Sequence, residues 1–236
     1  RVTPTASSMP TTSTSLVRLF GMKVFKFEVD EAFAKRNNEM LKDTRRLQTS
    51  AAVFGVILLG LAAALYFWVG QGEVWGLAGG IVALTFALLS FFLAVAVPRK
   101  VGGAQQLYDT YPLAPAVIAE TNERDYVLMA LVNTNVDPKL PPRWGAALRT
   151  VTRINGIKEP KLGTRIPVAA VQGRRSVRDE EHWDEISPMP IAWGTPDEDV
   201  VNTARRAIPE DQWARLDKAR RRLDDAKATR YNLLVL

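Results

Sequence analysis

Between Thr49 and Val97 the chain carries one charged residue, Glu73, whereas charge is dense on both sides of that stretch. Residues 51–69 are 19 uncharged positions, about 28 Å at the helical rise of about 1.5 Å per residue, enough to cross the hydrocarbon of a bilayer. Residues 74–97 are 24 positions, about 36 Å, which predicts a tilted second span. Gly70-Gln71-Gly72-Glu73 between them is long enough for a tight turn and nothing more, so the pattern predicts an antiparallel hairpin.

The pattern on either side is different in kind. Lys23-Val24-Phe25-Lys26-Phe27-Glu28-Val29 alternates apolar and charged positions from Phe25 on, the period of a half-buried strand that pairs with the later domain or with a partner. Asp30 then caps an expected helix, "EAFAKRNNEMLKDTRRLQ", with Phe33, Met40 and Leu41 roughly on one face, running into the first span. From Leu113 the pattern becomes strand-like again. "APAVIAET" and "YVLMALVN" read as a hairpin about the turn at residues 122–125, and "WGAALRTVTRIN" and "TRIPVAAVQG" as further strands, predicting a small antiparallel sheet or barrel. Two C-terminal helices follow. Thr195-Pro196-Asp197-Glu198 reads as a capping box opening "PDEDVVNTARRA", and Pro209 opens "PEDQWARLDKARRRLDDAKA".

The fold class expected is therefore a membrane protein: an α-helical hairpin of two transmembrane helices, then a cytoplasmic α+β domain with a small antiparallel sheet or barrel and two C-terminal helices. The expected divisions are residues 1–21, a disordered Thr/Ser/Pro-rich segment without the apolar core of a signal peptide; 22–48, strand and juxtamembrane helix; 49–98, the hairpin; and 99–236, the cytoplasmic domain. The opening Arg1 predicts processing, or a start further in at Met9 or Met22.

Charge sets the orientation. Arg45 and Arg46, with Lys35, Arg36 and Lys42, precede the first span, and Arg99 and Lys100 follow the second, while the turn holds only Glu73. The positive-inside rule then predicts a plasma (inner) membrane protein with both termini in the cytoplasm. Tyr66, Phe67, Trp68 and Trp75 stand where an outer aromatic belt would. From residue 101 onward 20 Lys/Arg meet 19 Asp/Glu, so most of the net charge of +6 lies at the membrane flanks and the N-terminal arm. No nucleic-acid partner is expected from that balance. Arg215, Lys218, Arg220, Arg221 and Arg222 interleave with Asp211, Asp217, Asp224 and Asp225, which reads as a solvated, ion-paired helix face.

Candidate chemistry is sparse. The spans hold no His, Met, Asp, Lys or Arg, so neither a proton relay nor a haem ligand is expected beyond marginal Tyr66, and no cofactor is predicted. Without cysteine there is no thiolate site. The single histidine, His182, beside Glu181 and Asp184, is the one candidate base, and no nucleotide, hydrolase or zinc motif accompanies it. No catalytic and no metal-binding residues are assigned. The second span carries a small-residue ridge, Gly76, Gly79, Gly80, Ala83 and Ala87, which lets another helix approach closely. That helix is either the other half of the hairpin or one from a larger integral membrane complex, and docking is the reading adopted. Trp183, Met189, Pro190 and Trp193 are candidate partner contacts, tryptophan being prominent in hot spots. Trp213 is expected in the core.

Four segments in order, "YPLAPAVIAETN", "LGTRIPVAAVQG", "EEHWDEISPMPIAWGT" and "IPEDQWARL", resemble the bacterial DUF3239 family over about residues 111–216. Their most specific part is His182-Trp183 followed by Pro188-Met189-Pro190. The resemblance implies a domain with no assigned catalytic residue. The hairpin in front of it is similar to that of members from mycolate-producing actinobacteria, and the plan of small anchor plus soluble domain is similar to accessory proteins of the actinobacterial cytochrome bcc–aa3 respiratory supercomplex. The function expected is thus a non-catalytic accessory or scaffold subunit, its partners that complex and membrane lipids. The alternatives are a tethered nucleic-acid or ligand-binding barrel, and an enzyme centred on His182.

Overall fold

A computed structural model describes residues 22–68, 74–157 and 160–236. Helices α1 (Glu31–Asn37), α2 (Glu39–Trp68), α3 (Val74–Val101) and α4 (Ala104–Thr110) precede a six-stranded sheet and three C-terminal helices. The segment 1–21 and the turn at residues 70–73 lie outside the described residues.

α2 and α3 pack against each other and against little else, and only 6% and 22% of their apolar stretches are buried inside the chain. A core helix of a soluble domain would be mostly covered. These helices instead present Phe54, Ile57, Phe86 and Phe92 outward, as spans whose solvent is lipid do. α2 begins 12 residues before Ala51, so a stalk of about 18 Å leads into its apolar part without a break at residue 48 or 49.

The sheet is antiparallel throughout, in the order β5-β4-β1-β2-β3-β6, with β1 Leu113–Thr121, β2 Tyr126–Asn133, β3 Trp144–Val151, β4 Arg165–Gln172, β5 Ile186–Pro190 and β6 Leu233–Val235. Flat, β3 and β5 would stand about 19 Å apart at the usual strand spacing. Yet Arg149 Nη1 on β3 donates to Ser187 Oγ on β5 at 2.9 Å, so the sheet curls into a half-barrel. A register shift in β1 between Ile118 and Glu120 adds to the bend. Pro115 and Pro167 sit directly opposite one another in the β1–β4 ladder. Neither has an N–H to exchange, so this is a pair that needs no cross-strand bond.

The four strands expected from the sequence are β1 to β4. β5 and β6 were not expected. β5 reads Ile-Ser-Pro-Met-Pro, a composition tolerated only at a sheet edge, and it lies at one; β6 is three residues on the other edge. Helices α5 (Glu198–Ala207), α6 (Glu210–Ala219) and α7 (Leu223–Lys227) follow β5, with α6 packed on β1 and β2 through buried Trp213 and Leu216.

Helix ends depart from expectation in three places. The α5 cap is Asp197, which accepts from Asp199 N at 2.8 Å, while Thr195 Oγ1 holds the preceding turn by accepting from Asp197 N at 3.1 Å. The run from Pro209 is two helices, α6 and α7, joined by a 3₁₀ turn at Arg220–Arg222. The expected single helix from Asp30 breaks at Asn38. Asp30 caps α1 as read, accepting from Phe33 N at 2.8 Å, but Asn38 leaves the helical region and its Oδ1 caps a new helix by accepting from Met40 N and Leu41 N. Asparagine competes with the backbone for hydrogen bonds, and here that competition ends one helix and starts the next.

Residues 23–29 form no ladder. The alternation is real, with Phe25, Phe27 and Val29 turned to the core and Lys26 and Glu28 outward. At its start the Lys23 carbonyl accepts from Leu113 N, the first residue of β1, at 2.8 Å; further on Gln105 Oε1 accepts from Val29 N at 2.9 Å, and its Nε2 donates to the Phe27 carbonyl at 3.0 Å. The arm is a strap, held by one backbone bond at the start of β1 and by the Gln105 side chain of α4.

Candidate functional site at the joint between hairpin and sheet

Four segments meet where the membrane helices reach the sheet domain. They are the arm with the start of α2, helix α4, the end of β3, and the turn that follows β5. The sequence brings them together through polar side chains placed among apolar ones. Arg149 is the one charged residue in β3, and its side chain is 13% exposed. Its guanidinium bonds Ser187, lies 5.3 Å from the centre of the Trp193 ring, and has Asp43 of α2 at 3.9 Å. Burial lowers the Arg149 pKa, while Glu39 and Asp43 favour its charged form. Asp43 is largely in solvent, so the Asp43 contact is the weaker part of this cluster.

Glu39, the first residue of α2, bolts that helix to the sheet. Its Oε1 accepts from Thr152 N at 2.9 Å, from Arg153 N at 3.1 Å, and from the Thr152 hydroxyl. One residue earlier, Asn38 is fully buried and its Nδ2 points at Met189 Sδ at 3.2 Å. α3 reaches the same point through α4. Tyr108 of α4 is buried, donates its hydroxyl proton to the Pro190 carbonyl at 2.8 Å, and packs edge-on against Phe27 at 5.0 Å. Burial pushes its phenol pKa far up, so the hydroxyl stays a donor; a hydrogen bond with Asn38 and the nearby Arg149 offset this only in part.

Gly194 closes the joint. A Cβ there would stand 2.6 Å from the Tyr108 ring and 3.0 Å from Phe27, and its carbonyl accepts from Asp30 N at 3.0 Å. Both spans therefore leave the sheet domain from one packed, hydrogen-bonded block.

The residues expected to make partner contacts fall differently. Met189 and Trp193 are fully buried and Pro190 is buried, so they form this joint and are not free for a partner. Trp193 Nε1 donates to the Arg153 carbonyl at 2.8 Å, which lets a tryptophan lie wholly inside. Trp183 is half-buried against the core, with Nε1 enclosed and without a hydrogen-bond partner. Trp213 is in the core. The ridge of Gly76, Gly79, Gly80, Ala83 and Ala87 faces α2: Gly79 is within reach of Leu65, Gly80 of the Ala62 backbone, and Ala87 is fully buried. The hairpin's own packing uses that ridge, which corrects its reading as a docking face. Arg45 and Arg46 are exposed on α2 ahead of its apolar part, and Arg99 is exposed near the end of α3, where Lys100 also lies.

His182 pairs neither with Glu181 nor with Asp184. Its Nδ1 meets Asp179 Oδ2 at 2.9 Å, and the hydrogen bond from His182 holds the Asp179 carboxyl below its usual range. Among the described residues no group of three or more His, Asp or Glu could hold a metal ion.

Sequence reasoning missed Asn38, Glu39, Gln105, Tyr108 and Arg149. Two of them, Arg149 and Asn38, carried a signal. For Arg149 it was the lone charge inside the apolar run "GAALRTV", and for Asn38 the Asn37-Asn38 pair inside an otherwise helical pattern.

The profile of a family described as "protein of unknown function (DUF3239)" matches residues 99–224. A crystal structure of a protein from Corynebacterium diphtheriae, described as a predicted membrane protein, aligns at 56% identity and a TM-score of 0.51, over 52% of this chain and 99% of that one. No curated protein matches the chain.

Proposed function

The chain belongs to the DUF3239 family, and from the way both spans enter the joint we propose that it is a non-catalytic accessory subunit. In this reading the hairpin sets a cytoplasmic sheet domain at a defined height and angle beside a larger membrane complex. The observation that carries the reading is the continuity of α2, one helix from the Glu39 anchor just past the end of β3 through the last apolar turn at Trp68. A flexible tether would need no such bolt. A rigid stalk is useful where the domain must meet one surface in one orientation. The lipid-exposed faces of α2 and α3 are broad enough for further helices, although close approach along the small-residue ridge is already taken by the hairpin itself.

The Lys/Arg asymmetry supports both termini on the cytoplasmic side of the plasma membrane. The cytochrome bcc–aa3 supercomplex is the first partner to seek, on the architectural likeness alone. The test is affinity purification of the full chain from detergent-solubilised membranes, with mass spectrometry of what co-purifies. We expect the subunits of one integral membrane complex in fixed ratio to the bait. Recovery of the bait without any membrane protein in constant ratio would end the accessory reading. For orientation, a cysteine at Gln71 should react with an impermeant maleimide in intact cells and one at Ser176 should not; the reverse pattern inverts the topology.

A further inference from the structure

Helix α6 sorts its charges. Glu210 and Asp217 turn toward β4, where Arg165 binds Glu210 at 2.7 Å and approaches Asp217 at 3.7 Å. Arg215 and Lys218 turn the other way, into an open cleft of about 780 Å³ between α6 and the Trp144 end of the sheet. Arg143 reaches the same cleft from the loop before β3. Among the described residues none of these three cations has a carboxylate within ion-pair reach, although Asp211 also lines the cleft. Arg222, at the rim, is paired with Asp225 at 3.0 Å. The interleaved sequence therefore does not yield the fully ion-paired face expected of it, because helical geometry sends Glu210 and Asp217 to one side and Arg215 and Lys218 to the other, where Asp211 is the one α6 acid beside them.

The floor of the cleft is apolar. Leu131 lies at its base, half-buried Trp144 and exposed Ala214 form its walls, and Leu236 adds a further apolar surface. A ligand that was only an anion would have no use for that floor. One that was only apolar would leave three cations unmatched at its edge. The volume falls in the range of small-molecule sites, about 300–1,000 Å³.

We propose that this cleft binds a single-chain anionic amphiphile, its aliphatic tail against Trp144 and Ala214 and its phosphate or carboxylate head held by Arg143, Arg215 and Lys218. Charge complementarity selects the head, and the apolar floor selects the tail. Anchoring by the hairpin keeps the domain close to a source of such molecules. The site is separate from the joint and does not depend on which complex the hairpin adjoins.

The test uses the full chain held in a non-ionic amphipol, which leaves no bilayer to absorb the probe. Octyl phosphate is titrated by calorimetry beside octyl glucoside, which has the tail without the charge, and inorganic phosphate, which has the charge without the tail. Octyl phosphate should bind saturably, one molecule per chain, with each comparator at least about tenfold weaker. Ala214→Trp fills the cleft from an exposed helix position, and Arg215→Gln with Lys218→Gln removes two of its three cations. Each should weaken octyl phosphate at least about tenfold while melting curves match the wild type. Equal binding of octyl glucoside, equal binding of phosphate alone, or undiminished binding by Ala214→Trp would overturn the proposal. Tight binding of an acidic amphipathic peptide with none of octyl phosphate would also overturn it, replacing the ligand by a partner protein.

Discussion

Two parts of this molecule are almost equally rich in Val, Leu and Ala, and they use them in opposite ways. In α3, Val82 and Leu88 are 55% and 61% exposed; in β2, Val132 and Leu131 are fully buried. The hairpin keeps its large side chains outside and its small ones between the helices, since helices in lipid gain from close backbone approach and not from removing apolar area from water. The sheet domain is built the other way, with bulk inside and charge outside, because its solvent is water. The same residue types therefore carry different energetic meaning on the two sides of the joint. A truncation that is costly in one region should be silent in the other.

That contrast is open to direct attack. The largest effect should come from the core of the sheet domain: Trp193→Ala removes a fully buried ring from the joint and should cost about 3–5 kcal/mol, whereas Leu88→Ala on the lipid face should stay within about 0.5 kcal/mol. Denaturant melts in detergent read both. Comparable losses would mean that α3 is covered by something other than lipid.

Next in size is the inverse experiment, adding bulk where the hairpin is small. Gly80→Leu with Ala83→Leu should overpack the α2–α3 contact by about 1–3 kcal/mol for each site, lowering membrane abundance and the midpoint of an SDS titration. Unchanged abundance with loss of co-purifying partners would return the ridge to the docking role that its geometry argues against.

A smaller effect should mark the joint itself. Glu39→Ala strips the acceptor from the Thr152 and Arg153 amides and should cost about 1–2 kcal/mol, with Glu39→Gln recovering part of it. Hydrogen exchange should quicken at those two amides and near Asn38 more than elsewhere in the sheet. Uniform quickening would show that the bolt is not local.

The smallest expected effect is electrostatic. Asp179 has its folded pKa depressed by the His182 hydrogen bond, so the pair's contribution is full above the unfolded carboxylate pKa. It fades as pH falls through the folded value. A carboxyl NMR titration should find Asp179 below the ordinary Asp range and His182→Ala should bring it back; an ordinary value in the wild type would dismiss the contact.

Much of this architecture was legible in the order of residues because it depends on the medium each segment faces. A run such as residues 74–97 with no charge declares lipid whatever lies beside it, and the apolar runs of β1 to β4 between polar turns declare a buried sheet. The DUF3239 relationship was legible too, being a matter of motif order. What could not be read were the identities of neighbours. The period of residues 23–29 showed correctly which side chains point inward, but not that the Gln105 side chain would take a strand's place beside Phe27 and Val29. Met189 and Trp193 looked available because their flanks are polar and proline-rich, and they are buried because β5 is an edge strand folded back over the joint.

The ridge on α3 and the charges on α6 follow the same rule. Spacing along a helix determined that Gly76, Gly80, Ala83 and Ala87 share a side, and that Arg215 and Lys218 share another. Only the tertiary structure decided that α2 covers the first set and that the second opens on a cleft walled by Trp144, because periodicity states which residues face one way and holds no information on what stands opposite.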